Sequence, residues 1–407
     1  MRISHILGGT SAAMALLLLT SCAGTAGTAG GGDDERPLID LTVAHHVGET
    51  TQVGAASHAF IDALEEYYDG EVAVEWYWSG ALAGTGPEIL DALADGRASL
   101  STVPPAYWPE KMPLAEWLDP LLATPGAAPL SPALASLIAH TEALKLPQLE
   151  EEFAKEGVTM LTATTNDYYY LFCNRPINNL ADAKGAIVRA GTRTQVGEIE
   201  ALGMTPATIE WGELFEGLQR GTVDCAAMPI AGAADIGALD VAPYVMMVPL
   251  SPAVIPVFMN TAQLESLPED VQEWIRTEGA AVYAEAFVAE QINQSHAAFA
   301  EGGAYVSGDG VEVIVPNDMI AELAQYREDQ YATLAELAPA SVEDPQAIVD
   351  GYLKTVDDAM ELYADVTGIS AEDLDTTEAT IAAIQDMPAE ATAEAFARKL
   401  LDVLSSR

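Results

Sequence analysis

Positive charge is the scarcest property of this chain. Its 407 residues include 17 Lys and Arg against 62 Asp and Glu, a formal net charge of −45. The acids are spread from Asp33 to Asp402 rather than gathered in one tail, and adaptation to a salty habitat is the simplest explanation of them. A field of this sign repels nucleic acid, so we exclude DNA and RNA as partners. It also repels free anions, so an anionic ligand would need a local cation.

Catalytic and cofactor motifs are missing as well. The sequence contains no Gly-x-Ser-x-Gly elbow, no P-loop and no dinucleotide fingerprint. No cluster of His, Cys and Asp has metal-ligand spacing, and the adjacent His45 and His46 would point to opposite faces of a strand. We therefore expect no catalytic residue, no metal and no cofactor. An extracytoplasmic enzyme or a structural lipoprotein is kept as a minor alternative.

The amino terminus lacks an apolar run long enough for a permanent membrane span. A short apolar stretch covers residues 12–19, and Leu19-Thr20-Ser21-Cys22 resembles a bacterial lipoprotein cleavage box. We expect residues 1–21 to be a signal peptide, Cys22 to carry the lipid and residues 22–36 to be a flexible tether. A membrane-stop segment is the alternative. The mature protein would be extracytoplasmic and lipid-anchored to the cell membrane, on the periplasmic side or at the cell surface.

Two cysteines remain after lipidation, Cys173 and Cys225, both in predicted strands with apolar neighbours. In an exported protein they could form a disulfide, or each could be a separate buried thiol. Sequence alone does not fix the approach of their Cα atoms, so both alternatives stay open.

The stretch from Asn179 to Pro229 carries the most structural information. Residues 180–185 read as a helical turn that ends at glycine, and residues 186–190 as a short apolar strand that carries Arg189. The following elements are a helix over 194–203, a strand at 207–209, a helix over 212–220 and a strand from residue 222. This alternation predicts an α/β lobe with a largely parallel sheet, whose ligands lie beyond the carboxyl ends of the strands. Arg189 is therefore a candidate ligand clamp.

The order and spacing of several motifs resemble one known family. The segment LADAKGAIVRAGTRTQVGEIEALGMTPATIEWGELFEGLQRGTVDCAAMP is similar to the core of the dicarboxylate-binding (DctP-like) solute-binding proteins of tripartite ATP-independent periplasmic (TRAP) transporters. Upstream, LTVAHHVGETTQVGAASHAFIDALEEYYDGEVAVEWYWSGALAG resembles the family's opening strand, first helix and second strand. Downstream, VFMNTAQLESLPEDVQEWI resembles its strand-to-helix return. The resemblance spans several motifs, which makes it specific.

The resemblance implies an α/β fold of the periplasmic-binding-protein kind, with two lobes and a hinge between them. The implied parts are lobe I over 37–166 and 253–292, lobe II over 167–252 and 293–320, and an extended helical C-terminal region over 321–407 packed on the lobes.

Three amphipathic or Ala/Glu-rich stretches make up that C-terminal region. Residues 318–337 and 345–366 each have helical periodicity, and residues 371–404 are helical sequence split near Pro388. Bracing of the hinge, covering of one lobe and dimerisation are alternative roles for them.

The resemblance also implies a receptor rather than an enzyme. Such a protein captures an organic acid in the cleft between its lobes and delivers it to the small and large integral membrane subunits of a TRAP permease. A receptor of an ABC importer or of a sensor is the alternative within the binding class.

Arg189 matches the family's carboxylate-binding arginine within the Lys-Gly-x-x-x-Arg pattern. Its planar guanidinium can hold a carboxylate through two parallel hydrogen bonds, and an internal ion pair is the alternative. Tyr169 stands where several members carry a second arginine, and Ala227-Met228-Pro229 stands where many have Glu-Asn-Pro. Because one cation and two polar contacts are lost, we expect a monocarboxylate with an apolar or aromatic body.

Aromatic residues are dense near the predicted cleft. Trp211 stands where the family commonly places a ring over the ligand, which implies stacking. For the other aromatic residues, core or hinge packing is the alternative to ligand contact, and His46 could equally be a solvated or capping histidine. The full set of expected ligand-binding residues is Arg189, Trp211, Tyr169, His46, Trp78, Tyr107 and Met228.

Overall fold

The computed structural model describes residues 36–84, 86–122, 138–139, 141–143, 146–300, 305, 310–369 and 377–406. Cys22, the predicted signal peptide and nearly all of the predicted tether lie outside these residues, so cleavage and lipidation stay predictions. The described residues from Pro37 onward form one compact unit. In the part of the chain that is described, none of the helices combines the length and the apolar character needed to cross a membrane.

Eleven strands can be described in this unit. In chain order they are β1 (Ile39–Ala44), β2 (Val72–Tyr77), β3 (Leu100–Thr102), β4 (Val158–Thr165), β5 (Tyr169–Cys173), β6 (Ile187–Arg189), β7 (Thr205–Ala207), β8 (Cys225–Met228), β9 (Tyr244–Leu250), β10 (Val254–Asn260) and β11 (Glu312–Ile314). They form a five-stranded sheet in the order β2-β1-β3-β10-β4 and a six-stranded sheet in the order β11-β9-β5-β8-β6-β7. We call the first sheet with its helices lobe I and the second lobe II.

The α-helices among the described residues are mostly short. They are α1 (Gln52–Tyr67), α2 (Gly86–Ala94), α3 (Pro113–Leu118), α4 (Pro147–Lys155), α5 (Leu180–Ala183), α6 (Arg193–Ala201), α7 (Leu214–Gln219), α8 (Ile230–Asp235), α9 (Thr261–Ser266), α10 (Glu269–Trp274), α11 (Ala280–Phe299), α12 (Asn317–Leu334), α13 (Pro345–Thr367), α14 (Thr377–Asp386) and α15 (Ala389–Ser405). A π-helical segment, Ile275–Gly279, joins α10 to α11.

Each sheet is mixed, although a largely parallel sheet was expected. The predicted stretch does supply parallel neighbours, since β6 pairs in parallel with β7 and β8. The exceptions are β10, antiparallel to β3 and β4, and β5, antiparallel to β8 and β9. Short connections at 166–168 and 251–253 carry the chain between the sheets. The first connection joins the end of β4 to the start of β5, and the second joins the end of β9 to the start of β10. Both connections lie where the two sheets face each other, so β4 and β9 run towards this place while β5 and β10 run away from it. In each sheet the strand that leaves is therefore antiparallel to the strand that arrives.

The helix α11 contacts both lobes. It packs on α1 of lobe I and on α8 of lobe II, and its buried face includes Phe287 and Phe299. The predicted lobe boundary at residue 292 falls inside this helix. The two lobes therefore share one continuous element in addition to the chain crossings.

The helical C-terminal region is confirmed, with helices at the predicted places. Met319 and Leu323 of α12 pack against one face of the lobe II sheet. The apolar faces of α13 and α15 join the lobe I core, for example through Tyr363 and Phe396. The last two helices are separated at Met387 and Pro388, close to the predicted break. The region therefore packs on both lobes.

Cys173 and Cys225 form a disulfide in the structure. They face each other as directly paired residues of the antiparallel strands β5 and β8, with their Cα atoms 4.0 Å apart. The pairing that sequence alone left open is thus set by strand register.

Candidate functional site

A cavity lies between the lobes, at the edge where the parallel strands of both sheets end. Its empty space, including the part that is open to solvent, is about 720 Å³. Polar lining residues are His46, Thr51, Gln52, Thr102, Asn166, Tyr169, Arg189 and Asp235. The other lining residues are Val47, Val53, Pro104, Tyr107, Gly191, Trp211, Pro229, Gly232, Ala253 and Ile255.

Local sequence brings Arg189 to this edge. The side chain of Asn179 caps α5 by accepting from the backbone N–H groups of residues 181 and 182. Gly185 has φ +77°, a left-handed conformation that turns the chain into β6 at little cost for glycine. The strand β6 is the middle one of three parallel strands, so Arg189, its last residue, is held on both sides.

The guanidinium of Arg189 is buried but incompletely bonded. Only 5% of the residue is exposed. Its Nε donates to the carbonyl of Ile209 at 3.3 Å and its Nη1 donates to the carbonyl of Ala227 at 3.4 Å, both long bonds. Within the described residues no carboxylate lies within 4.0 Å of it, and its remaining N–H groups have no protein acceptor. Since an uncompensated buried cation is costly, this geometry suits an incoming anion.

A chain of polar side chains leads from α1 to Tyr169. The Nε2 of Gln52 donates to Oδ1 of Asn166 at 2.6 Å, and Nδ2 of Asn166 donates to the hydroxyl of Tyr169 at 3.1 Å. Because this hydroxyl accepts from Asn166, its own proton is left to donate elsewhere. Burial raises the pKa of Tyr169, with Arg189 opposing that shift, so the hydroxyl stays neutral. A neutral donor thus stands near the cation.

His46 and Tyr107 form part of the lobe I wall. Their rings meet edge to face with centroids 6.0 Å apart. Burial lowers the pKa of His46 to about 4, so the imidazole is neutral near pH 7, and its Nδ1 has no hydrogen-bond partner among the described residues. Burial raises the pKa of Tyr107 to about 12. Both rings are therefore uncharged.

His45 does not line the cavity, and because β1 ends at Ala44 the strand alternation expected for His45 and His46 does not apply to them. The ring nitrogens of His45 are hydrogen-bonded to Thr102 Oγ1 at 3.1 Å and to Ser57 Oγ at 3.0 Å. Burial, followed by the neighbouring His46 and His58, lowers its pKa to about 3. It is a neutral core histidine.

Two of the expected ligand-binding residues do not line the cavity. Trp78 stacks on Trp76, with centroids 5.4 Å apart, and on His45 at 5.1 Å. Met228 is fully buried in the lobe II core, and the next residue, Pro229, lies on the cavity wall in its place. The structure thus brings together Arg189, Trp211, Tyr169, His46 and Tyr107.

Gln52, Asn166 and Asp235 were not anticipated as lining residues. Gln52 and Asn166 are 114 positions apart, so no local motif joins them. The position of Asn166 directly after β4 at the cleft edge is the signal that could have found it. Asp235 lies at the end of α8 and is exposed at the cavity mouth.

A sequence model of the DctP family, described as bacterial extracellular solute-binding protein, family 7, matches residues 43–334. The chain belongs to this family. DctP-like proteins are the solute-binding proteins of TRAP transporters.

Solved structures of TRAP solute-binding proteins share the fold. One from Desulfovibrio salexigens with bound orotic acid is 19% identical with a TM-score of 0.64, covering 79% of this chain and 99% of its own. One from Bordetella bronchiseptica with bound (R)- and (S)-mandelate is 17% identical with a TM-score of 0.66, covering 79% and 99%. One from Rhodoferax ferrireducens with copurified benzoate is also 17% identical with a TM-score of 0.66, covering 80% and 100%. At these identities the likeness shows the two-lobe fold.

Proposed function

We propose that this DctP-like protein is the extracytoplasmic receptor of a TRAP transporter and captures an organic monocarboxylate that has an apolar or aromatic body. The observation that carries the proposal is the state of Arg189. In a chain of net charge −45, Arg189 is 5% exposed, and its guanidinium has no carboxylate within 4.0 Å in the described residues. A ligand carboxylate supplies the missing partner.

The carboxylate would meet one cation and one neutral donor. Arg189 offers its free N–H groups, and Tyr169 offers the hydroxyl proton that its bond from Asn166 leaves available. A second carboxylate would find no second cation, since Arg189 is the only basic lining residue of the described cavity that is charged at neutral pH. This favours a single anionic group.

The remaining walls suit an apolar or aromatic body. The ring of Trp211 lies beside the guanidinium, 5.8 Å from Arg189 Cζ to the ring centroid, and Tyr107 contributes a second ring. Val53 and Ile255 are aliphatic lining residues. Orotate, mandelate and benzoate, which are bound to the structurally similar proteins, each combine one carboxylate with one ring, and they support this choice of ligand class.

The rest of the proposal concerns delivery. Cys22 carries the lipid that holds the protein at the membrane, and residues 22–36 give it reach. Binding energy closes the lobes over the ligand by the difference between its affinities for the closed and open states. The closed protein then docks on the small and large integral membrane subunits of the permease.

The test is a titration of the protein, purified without its lipid, with benzoate, mandelate, orotate, succinate, galacturonate and the neutral analogue benzamide. Calorimetry and thermal shift should show binding of ring monocarboxylates and none of benzamide, because only a carboxylate completes the Arg189 site. Arg189→Lys should lose about 10- to 150-fold in affinity for benzoate, since lysine cannot make the two parallel bonds.

Arg220→Lys is the matched control. Arg220 is an exposed arginine of the same lobe that pairs with Glu216, and its replacement should leave affinity unchanged. Equal binding of benzamide and benzoate, or unchanged affinity in Arg189→Lys, would refute the clamp.

A further inference from the structure

Three of the side chains that face the cavity rest against glycines that have no room for a side chain. A Cβ at Gly232 would lie 2.7 Å from Cη2 of Trp211, and a Cβ at Gly191 would lie 2.9 Å from Nη1 of Arg189. At Gly86 it would lie 2.2 Å from Cε2 of Tyr107. Contacts this short are not tolerated, so an added methyl group must move its neighbour.

The Gly232 contact is the most informative of the three, because Gly232 lines the cavity and its neighbour is a rigid indole ring, whereas the neighbour of Gly191 is the end of a flexible arginine side chain. Gly232 lies on α8, and both Gly232 and Trp211 line the cavity. The atoms nearest to the missing Cβ are Cη2 and Cζ2 of the indole six-membered ring, and Pro229 Cγ follows at 3.2 Å. The ring is thus packed flush against the backbone of α8.

The guanidinium of Arg189 lies over the same indole, 5.8 Å from the ring centroid, and both side chains line the cavity. A methyl group on α8 would displace the ring from its present position. A displaced indole changes the space in which a planar ring can lie beside Trp211 while its carboxylate reaches Arg189.

Building on the proposed function, we infer that Gly232 is the positioning residue that seats Trp211 and so determines whether the cavity admits ring-bearing carboxylates. Gly232 touches no ligand atom in this role. It acts by leaving the volume that the indole fills, and the ligand class it selects is a planar ring monocarboxylate rather than a short aliphatic one.

The experiment measures affinities for benzoate and for propionate in the wild type, Gly232→Ala and Gly212→Ala. Gly212 is the matched control, because it is the residue next to Trp211 and its added Cβ would meet nothing within 4 Å. Gly232→Ala should lose about tenfold or more in affinity for benzoate and less than about threefold for propionate. Gly212→Ala should change neither affinity by more than about twofold.

A rescue separates positioning from general damage. Phenylalanine lacks the Cη2 and Cζ2 atoms that approach Gly232, so in a Trp211→Phe background Gly232→Ala should cost less than about twofold in benzoate affinity. Equal losses in the two backgrounds, or equal losses for benzoate and propionate, would overturn the inference and leave the proposed function intact. If the wild type bound no ring carboxylate, the proposed function itself would fail.

Discussion

Two buried arginines, Arg189 and Arg327, differ in whether a carboxylate lies beside the guanidinium. Arg189 is 5% exposed and Arg327 on α12 is 7% exposed. Each guanidinium lies near an aromatic ring, Arg189 at 5.8 Å from Trp211 and Arg327 at 5.9 Å from Tyr168. Arg327, however, donates from Nε to Oε1 of Glu198 at 2.8 Å and from Nη2 to the carbonyl of Pro249 at 2.5 Å.

The difference bears on the proposal that Arg189 binds a ligand carboxylate. Glu198 is fully buried and also accepts from the backbone N–H and the hydroxyl of Ser251, at 2.8 and 2.6 Å. The Arg327 site is thus complete within the chain. The Arg189 site has carbonyl acceptors only, and it lacks the anion that Glu198 provides for Arg327.

The largest expected effect comes from breaking the complete pair. Arg327→Met should lower the free energy of unfolding by about 3–5 kcal/mol, because it leaves the buried carboxylate of Glu198 without a cation. Urea unfolding followed by circular dichroism measures this. Adding Glu198→Gln should recover part of the loss, because the unpaired buried charge is then removed. If Arg327→Met alone were as stable as the wild type, the ion pair would not contribute to stability.

Asp119 is a buried acid without a cation beside it, the counterpart of the buried cation Arg189. Its carboxyl accepts a hydrogen bond from the hydroxyl of Thr194 at 2.5 Å. Burial raises its pKa to about 7, the Thr194 bond opposes the shift, and Glu116 and Glu198 add to it. A raised pKa means that its contribution to stability is complete below about pH 4 and is lost as the pH rises to about 7.

Asp119→Asn should therefore gain stability relative to the wild type between pH 4 and 7, by about 2–4 kcal/mol at the upper end. Thermal unfolding across that pH range measures the difference. The lowered pKa of His45 makes stability change with pH in the opposite direction, but His45 is present in both proteins, so its contribution cancels in the difference between them. Parallel stability profiles of the two proteins would contradict the assignment.

Removing the incomplete site should have a smaller effect on stability, in the reverse direction to Arg327→Met. Arg189→Met should leave the ligand-free protein equally stable or more stable by about 1–2 kcal/mol, since an uncompensated buried cation is removed. The readout is the urea midpoint without ligand. A loss comparable to that of Arg327→Met would mean that the two arginines are equivalent structural groups.

The smallest effect is expected from the neutral donor beside the cation. Tyr169→Phe should weaken benzoate binding by about three- to fivefold, the usual worth of one neutral hydrogen bond, without a change in fold. Calorimetry gives the affinity. A loss as large as that of Arg189→Lys would shift the main role in carboxylate binding to Tyr169.

The parts of the fold that depend on local chemistry were predictable from sequence. The glycine turn before β6 and the break near Pro388 both lie where local rules place them. The strand expected at 207–209 lies instead at Thr205–Ala207 and includes Pro206. Proline has no N–H group, and it is tolerated here because β7 is an edge strand, which needs no hydrogen bonds on one side.

The site was predictable only in part, because some of its residues are brought together by contacts between distant segments of the chain. Arg189 is the last residue of β6, and Trp211 begins the helical turn that follows β7, and sequence patterns locate both places. The Gln52–Asn166–Tyr169 chain depends on how α1 of lobe I meets the crossing between the lobes, and periodicity carries no information on that contact. Trp78 follows the edge strand β2 and packs on neighbouring rings, so its position at a strand end did not bring it to the cavity.

The shared helix α11 has a consequence for the time that a ligand stays bound. It packs on α1 and on α8, and α8 carries Gly232 of the cavity wall. If the lobes open and close as proposed, a widening of the cleft has to bend α11 or slide α8 along it. The apolar face of α15, which lies beyond the residues matched by the family, is packed on α11 and opposes either motion. We therefore expect removal of the last helix to speed the release of a bound ligand.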